Sequence, residues 1–291
     1  MKKKFCIFIA TLLSLILFTI GCAPTPDGGD DDGGGSNVEG ESQVVTLTKD
    51  TDFDTLESDK FTKEEEKEIL AGVFFLYTRP HGLLFEPNLN FTAYATGTVK
   101  ESYNDRETQI FNEESTLKRV KNVLYVSAST QSLSPLTYDY VQQLSILTDN
   151  TVNTYWKDNE EDWYHEGQQT KDELIGQPAF NYLLGKAQEF FNALVYDETL
   201  KAYVLDEFIF QQEHHTDGYS YHGSSQTYYD VIIKIKDGKL AYAETKLIVY
   251  DYDQFEDHDY WSRIEAHEKV KFYDYDTTTY IPPDPSTLPQ A

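Results

Sequence analysis

The alternation of apolar and polar residues along the last third of the chain is the feature that most restricts its fold. In VIIKIKDGKLAYAETKLIVY, residues 231–250, two alternating runs flank Asp237-Gly238. Asp-Gly between such runs is a strong signal for a β-hairpin, because both residues tolerate the positive φ angles of a tight turn. We therefore predict a meander of three antiparallel strands at about residues 228–236, 239–252 and 261–275.

The same alternation makes one face of the predicted meander apolar. On its first strand the apolar side chains are Tyr229, Val231, Ile233 and Ile235. On its last strand they are Ile264, Ala266, Val270 and Phe272, opposed by Arg263, Glu265, His267, Lys269 and Lys271. Because an apolar sheet face must be covered, the pattern predicts a second layer of structure.

Alternating segments before the meander predict further strands. Two long strands are expected at residues 88–103 and 108–129, paired through a turn near Asn104-Asp105, and a shorter strand at residues 203–212. The segment TVNTYWKDNEEDWYHEG predicts a hairpin that bends at residues 158–161. The residues expected to form a cross-strand aromatic cluster there are Tyr155, Trp156, Trp163 and Tyr164.

Two other segments have the apolar period of amphipathic helices. The first begins with a capping box formed by Thr62 and Glu65. Its apolar side chains are Ile69, Leu70, Val73, Phe74 and Tyr77. The second follows Pro178, and its apolar side chains are Phe180, Leu183, Leu184, Ala187, Phe190, Phe191 and Leu194. We therefore predict an α+β fold, in which a long, curved, half-barrel-like antiparallel sheet has helices packed on one face.

The N-terminal residues predict export and membrane attachment. Three lysines precede an apolar run at residues 5–20, which is short for a membrane span and typical of a signal peptide. The run ends at Thr19-Ile20-Gly21-Cys22, which resembles the lipobox of bacterial lipoproteins, although Thr19 stands where Leu is usual. The resemblance implies that Cys22 is acylated, and that the protein is extracytoplasmic and lipid-anchored to a membrane of the cell envelope.

Composition divides the chain further. Residues 1–21 are the predicted signal peptide, and residues 22–43, rich in Gly and Asp, are a predicted flexible tether. Residues 44–283 are expected to form a single domain, followed by a disordered tail at residues 284–291. Cys6 is the only other cysteine and leaves with the signal peptide, so the domain must be stable without disulfides.

Charge and motifs narrow the function. The chain has 24 Lys and Arg against 50 Asp and Glu, a net charge of −26, which disfavours a nucleic-acid partner. The hydrolase motif G-x-S-x-G, the phosphate loop G-x-x-x-x-G-K and the zinc motif H-E-x-x-H are all absent, so we predict neither enzymatic activity nor a cofactor. The residues Glu213, His214, His215 and His222 match no metal-binding spacing and are interpreted as a solvated loop.

The predicted layout resembles the LolA- and LprG-like bacterial envelope lipoproteins, in which helices cap a curved half-barrel sheet. The resemblance rests on the lipobox at Cys22, the aromatic hairpin, the helix that runs into a strand at residues 180–205, and the late meander, and it would cover residues 62–283. It implies that a lipid or other hydrophobic ligand binds between sheet and helices. The residues expected to line that site are Phe74, Phe190, Leu194, Ile233 and Phe272.

The aromatic content leaves a second hypothesis open. With 22 tyrosines and 17 phenylalanines, the domain could instead be an adhesion module, or a glycan- or protein-binding module, with no internal cavity. A lipid carrier should bury its aromatic residues, whereas a binding module should expose Trp156, Trp163 or Trp261 on an outer face. The exposure of these three side chains therefore separates the two hypotheses.

Overall fold

The described part of the protein is dominated by β-strands. The computed structural model describes residues 45–61, 79–104, 106–133, 136–159, 161–177, 193–215, 222–254 and 259–289. The strands are β1 (Asn90–Tyr103), β2 (Arg106–Val120), β3 (Val123–Leu133), β4 (Leu136–Thr148), β5 (Thr151–Asp158), β6 (Tyr164–Thr170), β7 (Val195–Asp197), β8 (Ala202–His215), β9 (His222–Lys236), β10 (Lys239–Gln254) and β11 (Asp259–Tyr273). The helices are α1 (Gly82–Phe85), α2 (Lys171–Ile175) and the 3-10 turn η1 (Pro285–Thr287).

All eleven strands belong to one antiparallel sheet. Their order is β6-β5-β4-β3-β2-β1-β11-β10-β9-β8-β7. Two meanders, β1 to β6 and β7 to β11, thus run outward from the centre, where the first and last strands pair over twelve residues from Thr92↔Tyr273 to Tyr103↔Ser262. This central pairing brings together residues that are about 170 positions apart in the sequence, so it decides which side chains become neighbours there.

The prediction of an α+β fold with helices packed on one face is wrong. The described residues form one large antiparallel sheet, and the α-helices among them, α1 and α2, have four and five residues. The reason is the extent of strand pairing: strands as long as the sixteen residues of β10 pair along nearly their whole length, so extended backbone takes up most of the described chain. Residues 62–78 and 178–192, where the two amphipathic helices were predicted, lie outside the described residues.

The late meander is confirmed. Strands β9, β10 and β11 are consecutive neighbours in the sheet, and Lys236 pairs with Lys239 across the turn between β9 and β10. Asp237 and Gly238 have φ angles of 49° and 70°, as a turn of the mirror-image type requires. The hairpin from β5 to β6 is also present.

Two hairpins in the first meander were missed. The segment predicted as one strand at residues 108–129 turns at Lys121, where φ is +52°, and continues as β3. Strand β4 was not predicted, and it turns into β5 at Asp149, where φ is +53°. Both turns place a residue other than glycine in the left-handed region, which is uncommon, so neither carries the glycine signal that marked Asp237-Gly238.

The aromatic hairpin is divided between the two faces of the sheet. Trp156 pairs with Tyr164, whereas Tyr155 pairs with His165, whose ring meets the Tyr155 ring edge-on at 5.2 Å between centroids. Because successive residues of a strand point to opposite faces, the four aromatic side chains cannot form the single cluster that was predicted.

The hydrophobic core lies on one face of the sheet, which we call the core face. Its buried strand residues are Phe91, Ala93, Ala95, Val99, Leu117, Leu124, Val126, Val152, Tyr203, Leu205, Val231, Ile233, Ile235, Leu240, Ala243, Leu247, Val249, Ala266, Val270 and Phe272. Leu83 and Leu84 of α1 and Leu174 of α2 pack against this face. The core face is therefore the apolar surface that the alternation predicted.

The opposite face is covered locally by the chain on either side of the sheet. Leu47 and Phe53 pack on Ala241 and Tyr242 of β10. Leu288, within the segment assigned to the disordered tail, is buried against Val123 and Leu144 on β3 and β4. Residues before and after the sheet thus contribute to its stability.

Candidate functional site

The predicted ligand-lining residues that the structure describes lie in the core. Ile233 and Phe272 are fully buried on the core face, and Leu194 is half-buried against the same cluster. Phe74 and Phe190 lie outside the described residues, and so does Cys22, so its lipidation stays a prediction. The structure therefore brings three of the five predicted residues to one apolar surface.

A row of polar residues crosses this apolar surface at its centre. The strand register aligns Glu113 of β2, Gly97 of β1, Glu268 of β11 and Thr245 of β10. Residues paired in this way point to the same face of the sheet. This is the core face, because the residues on either side of the row belong to the hydrophobic core: Ala95, Val99, Ala266 and Val270. We call these four residues the acid row.

The acid row contains buried polar atoms that have no partner. Glu268 is 3% exposed and Thr245 is 5% exposed. The Oε2 atoms of Glu113 and Glu268 and the Oγ1 atom of Thr245 are buried and hydrogen-bond to none of the described residues. Since buried polar groups in native proteins are nearly always paired, three orphaned atoms in one row require an explanation.

Burial also changes the ionisation of the two acids. Burial raises the pKa of Glu113 to about 9, helped by repulsion from Glu268 and Glu101, and burial raises the pKa of Glu268 to about 8. Both carboxyl groups are therefore mostly protonated at neutral pH. Glu101, which is 2% exposed on the same strand as Gly97, accepts a hydrogen bond of 3.1 Å from the Tyr103 hydroxyl.

The strand positions next to the acid row carry no positive charge. The core-face neighbours two residues along these four strands are Ala95, Val99, Phe111, Ser115, Ala243, Leu247, Ala266 and Val270. None of them is basic, so within the described sheet no lysine or arginine adjoins the row on this face. Among the described strands, the two carboxyl groups therefore have no neutralising partner beside them on this face.

Arg119 is a second under-bonded residue of the core face. It is fully buried in the cross-strand row of Phe91 and Leu124, and its Nη2 donates a 2.7 Å hydrogen bond to the carbonyl oxygen of Glu86. Its Nε and Nη1 atoms bond to none of the described residues. Burial lowers the pKa of Arg119 to about 10, so it stays charged at neutral pH. It is six residues from Glu113 along β2, about 20 Å, and so does not neutralise the acid row.

The acid row was not predicted from the sequence, although one signal of it is present there. Glu268 occupies the apolar phase of β11, between Ala266 and Val270, where the alternation calls for an apolar residue. A charged residue at a strand position that faces the core is unusual unless it has a function. No comparable signal linked it to Glu113, because their alignment depends on pairing of β1 with both β2 and β11.

The described residues show where the histidines of the predicted loop lie, and they bear on metal binding and on membrane-spanning helices. His214, His215 and His222 belong to β8 and β9 rather than to a loop, and His215 pairs with His222. Among the described ranges no three His, Cys, Asp or Glu residues form a group that could hold a metal ion. No helix in those ranges is long and apolar enough to cross a membrane.

The tryptophans that separate the two functional hypotheses are all half-buried. Trp156, Trp163 and Trp261 each have intermediate exposure. Several tyrosines are more exposed, among them two on the opposite face, Tyr138 at 69% and Tyr140 at 40% exposure, whose hydroxyls accept hydrogen bonds from Gln131 and Gln142. The comparison with known proteins adds no assignment, since no protein-family model and no curated protein sequence matches this chain.

Proposed function

We propose that the protein is a lipoprotein, anchored through Cys22 to the outside of a bacterial membrane, whose core face binds a lipid or another hydrophobic ligand. The N-terminal sequence supports the anchor and location. The observation that supports a ligand is the acid row, where buried polar atoms with no partner among the described residues lie inside a largely apolar surface.

The energetic cost of unpaired buried polar groups favours a ligand over a packed core. A buried polar group that loses its hydrogen bond costs about 1–3 kcal/mol, so a core that serves only stability would hold apolar side chains at these positions. An amphiphilic ligand removes the cost, because its polar group pairs with the row while its hydrocarbon chain contacts the apolar residues around it. An apolar surface that contains a few polar groups is typical of small-molecule binding sites.

Native mass spectrometry tests the ligand proposal. We expect the purified mature chain to carry a bound lipid, or to take one up when lipids are offered. Leu194→Trp should reduce bound lipid because it adds bulk beside the core cluster, and the matched control Leu200→Trp, at an exposed position, should not. A chain that neither carries nor takes up any lipid overturns the proposal.

Membrane fractionation tests the anchor. Cys22→Ser removes the thiol that would carry the acyl chains, and burial of those chains at about 0.8 kcal/mol per methylene is what holds such a protein at a membrane. We expect the variant to leave the membrane fraction. Persistent membrane association would rule out this anchor.

A glycan- or protein-binding module is the second candidate, favoured by the exposed tyrosines on β4. Tyr138 and Tyr140 lie on the opposite face, two residues apart, and so are neighbours along one strand. The half-buried tryptophans do not support this candidate. Tyr138→Ala and Tyr140→Ala should leave lipid uptake unchanged, and loss of adhesion to a glycan array in these variants would favour the module instead.

A further inference from the structure

We propose that the acid row binds the ammonium group of a long-chain amine, an inference that deepens the function proposed above and depends on it. The ligand class is a cationic amphiphile, whose hydrocarbon chain would lie along the core face. Three observations lead to this class: the geometry of the row, its charge, and the apolar residues that surround it.

The strand register places the two acids on either side of a glycine. Neighbouring strands are about 4.8 Å apart, so Glu113 and Glu268, with β1 between them, have Cα atoms roughly 10 Å apart. Gly97 is the residue between them and contributes no side chain. The two acidic side chains therefore point to the same face on either side of Gly97, and repulsion from Glu268 contributes to the raised pKa of Glu113.

Three polar atoms of the row are unpaired, and a primary ammonium between the acids could pair with those of Glu113 and Glu268. A primary ammonium carries three N–H donors and no acceptor. The orphaned atoms of the row are the Glu113 Oε2, the Glu268 Oε2 and the Thr245 Oγ1. Thr245 pairs directly with Glu268, so its hydroxyl belongs to the same patch. Its unpaired state does not depend on the ionisation of the two acids.

The charge of the row favours a cation over an anion. The titratable groups that the described strands bring to the row are Glu113, Glu268 and Glu101, and Asp139 of β4, further along the same row, is exposed. All four are acids and none can become positively charged, so the row can form an ion pair only with a cation. An anionic ligand would instead be drawn to Arg119, about 20 Å away along β2, and would leave the acid row unpaired.

Binding of a cation is coupled to release of a proton. In the empty site burial keeps both carboxyl groups mostly protonated at neutral pH. An ammonium beside them favours the charged carboxylate, so one carboxyl gives its proton to the buffer as the ion pair forms, and no bond of the ligand is broken. Amine affinity should therefore rise with pH between 6 and 8.

Isothermal titration calorimetry with three probes of equal chain length tests the inference. The mature chain with Cys22→Ser is titrated with dodecylammonium, dodecanol and dodecanoate, each below its micelle concentration. We expect dodecylammonium to bind about tenfold more tightly than dodecanol, as a charge-assisted hydrogen bond provides. Measurements in two buffers with different ionisation enthalpies should show release of about one proton per amine bound.

Amide variants identify the acids responsible. Glu113→Gln and Glu268→Gln keep the shape of the side chain, but each removes a group that can become negative. Each variant should reduce the preference for the amine over the alcohol to less than about threefold and reduce the proton release. The matched control is Glu114→Gln, one residue along β2 on the opposite face and exposed, which should behave like the unmodified chain.

The outcomes separate this inference from the proposed function. Equal binding of amine and alcohol overturns the cationic ligand and leaves a hydrophobic ligand in place. Tighter binding of dodecanoate also overturns it and directs attention to Arg119. Failure of all three probes to bind overturns both proposals. Amine preference that persists in both amide variants shows that the acid row is not the site.

Discussion

Two buried ionisable residues on opposite faces of the same sheet, Glu268 and Lys234, differ in what surrounds them. Lys234 is 6% exposed, and its Nζ donates hydrogen bonds of 3.0 and 2.8 Å to the carbonyl oxygens of Phe53 and Asp54. Burial lowers its pKa, while the charges of Asp54 and Asp52 act in the other direction. Glu268 is 3% exposed, and its Oε2 has no partner among the described residues.

The difference separates a structural role from a binding role. The bonds of Lys234 hold residues 53 and 54 of the N-terminal segment on the sheet, and the Tyr242 ring lies 5.8 Å from the same ammonium group. Its buried charge is therefore compensated within the chain. Glu268 has no such compensation among the described residues, so its burial costs stability unless a ligand supplies the partner.

The largest effect expected from this difference is a loss of stability as the pH rises. The folded-state pKa values of about 9 for Glu113 and about 8 for Glu268 lie above the value of 4.5 for an exposed Glu. The folded chain therefore holds protons that the unfolded chain releases. This stability is fully present below pH 4.5 and is lost as the pH rises to between 8 and 9, by at most about 1.4 kcal/mol per pH unit for each carboxyl.

Urea unfolding at a series of pH values measures this loss. The double variant Glu113→Gln and Glu268→Gln should show a much flatter pH dependence than the unmodified chain between pH 5 and 8, and should be the more stable of the two at pH 8. Parallel pH profiles for the two proteins would show that the acids are not buried in neutral form.

The second effect is the loss of the compensated charge. Lys234→Ala leaves the carbonyl oxygens of Phe53 and Asp54 without their donor, and it should lower the free energy of unfolding by about 3 kcal/mol. Lys246→Ala, at an exposed position of β10, is the control and should change it by less than about 0.5 kcal/mol. Chemical denaturation at pH 6 measures both, and equal effects would show that the hydrogen bonds of Lys234 do not stabilise the fold.

A third prediction tests the other cover of the opposite face. Leu288→Ala removes a buried side chain that packs against Val123 and Leu144, and it should cost about 2 kcal/mol. Leu136→Ala, at a position that is 62% exposed, should cost little. If the two variants have the same midpoint of thermal unfolding, the C-terminal segment does not stabilise the sheet.

The smallest expected changes in stability come from removing two buried hydroxyl groups, those of Thr245 and Ser58. Thr245→Val removes a hydroxyl that has no described partner, so it should be neutral or stabilise the fold by up to about 1 kcal/mol. The Ser58 hydroxyl accepts a 3.0 Å hydrogen bond from the Ile235 amide, so Ser58→Ala should destabilise the fold by about 1 kcal/mol. Calorimetric melting of both variants gives the sign of each effect, and a destabilising Thr245→Val would show that this hydroxyl has a partner.

Local patterns predicted the local parts of this fold. Asp237-Gly238 specified its hairpin, since the turn depends on the residues that occupy it and their φ angles. The turn at Lys121 was missed because its positive φ angle is imposed by the pairing of β2 with β3 rather than by a residue that prefers it. The fold class was wrong for a related reason: apolar periodicity was weighed segment by segment, whereas eleven paired strands form one surface.

By itself, the sequence determined where the alternating strands of the late meander run and which of their faces is apolar, because a strand's period of two is written in neighbouring residues. It also supplied the signal and lipobox pattern from which the location of the protein is proposed. Only the tertiary structure decided that Glu113, Gly97, Glu268 and Thr245 form one row. Their alignment requires the first and last strands of the sheet to pair in a particular register, and that register depends on contacts between residues far apart in the chain.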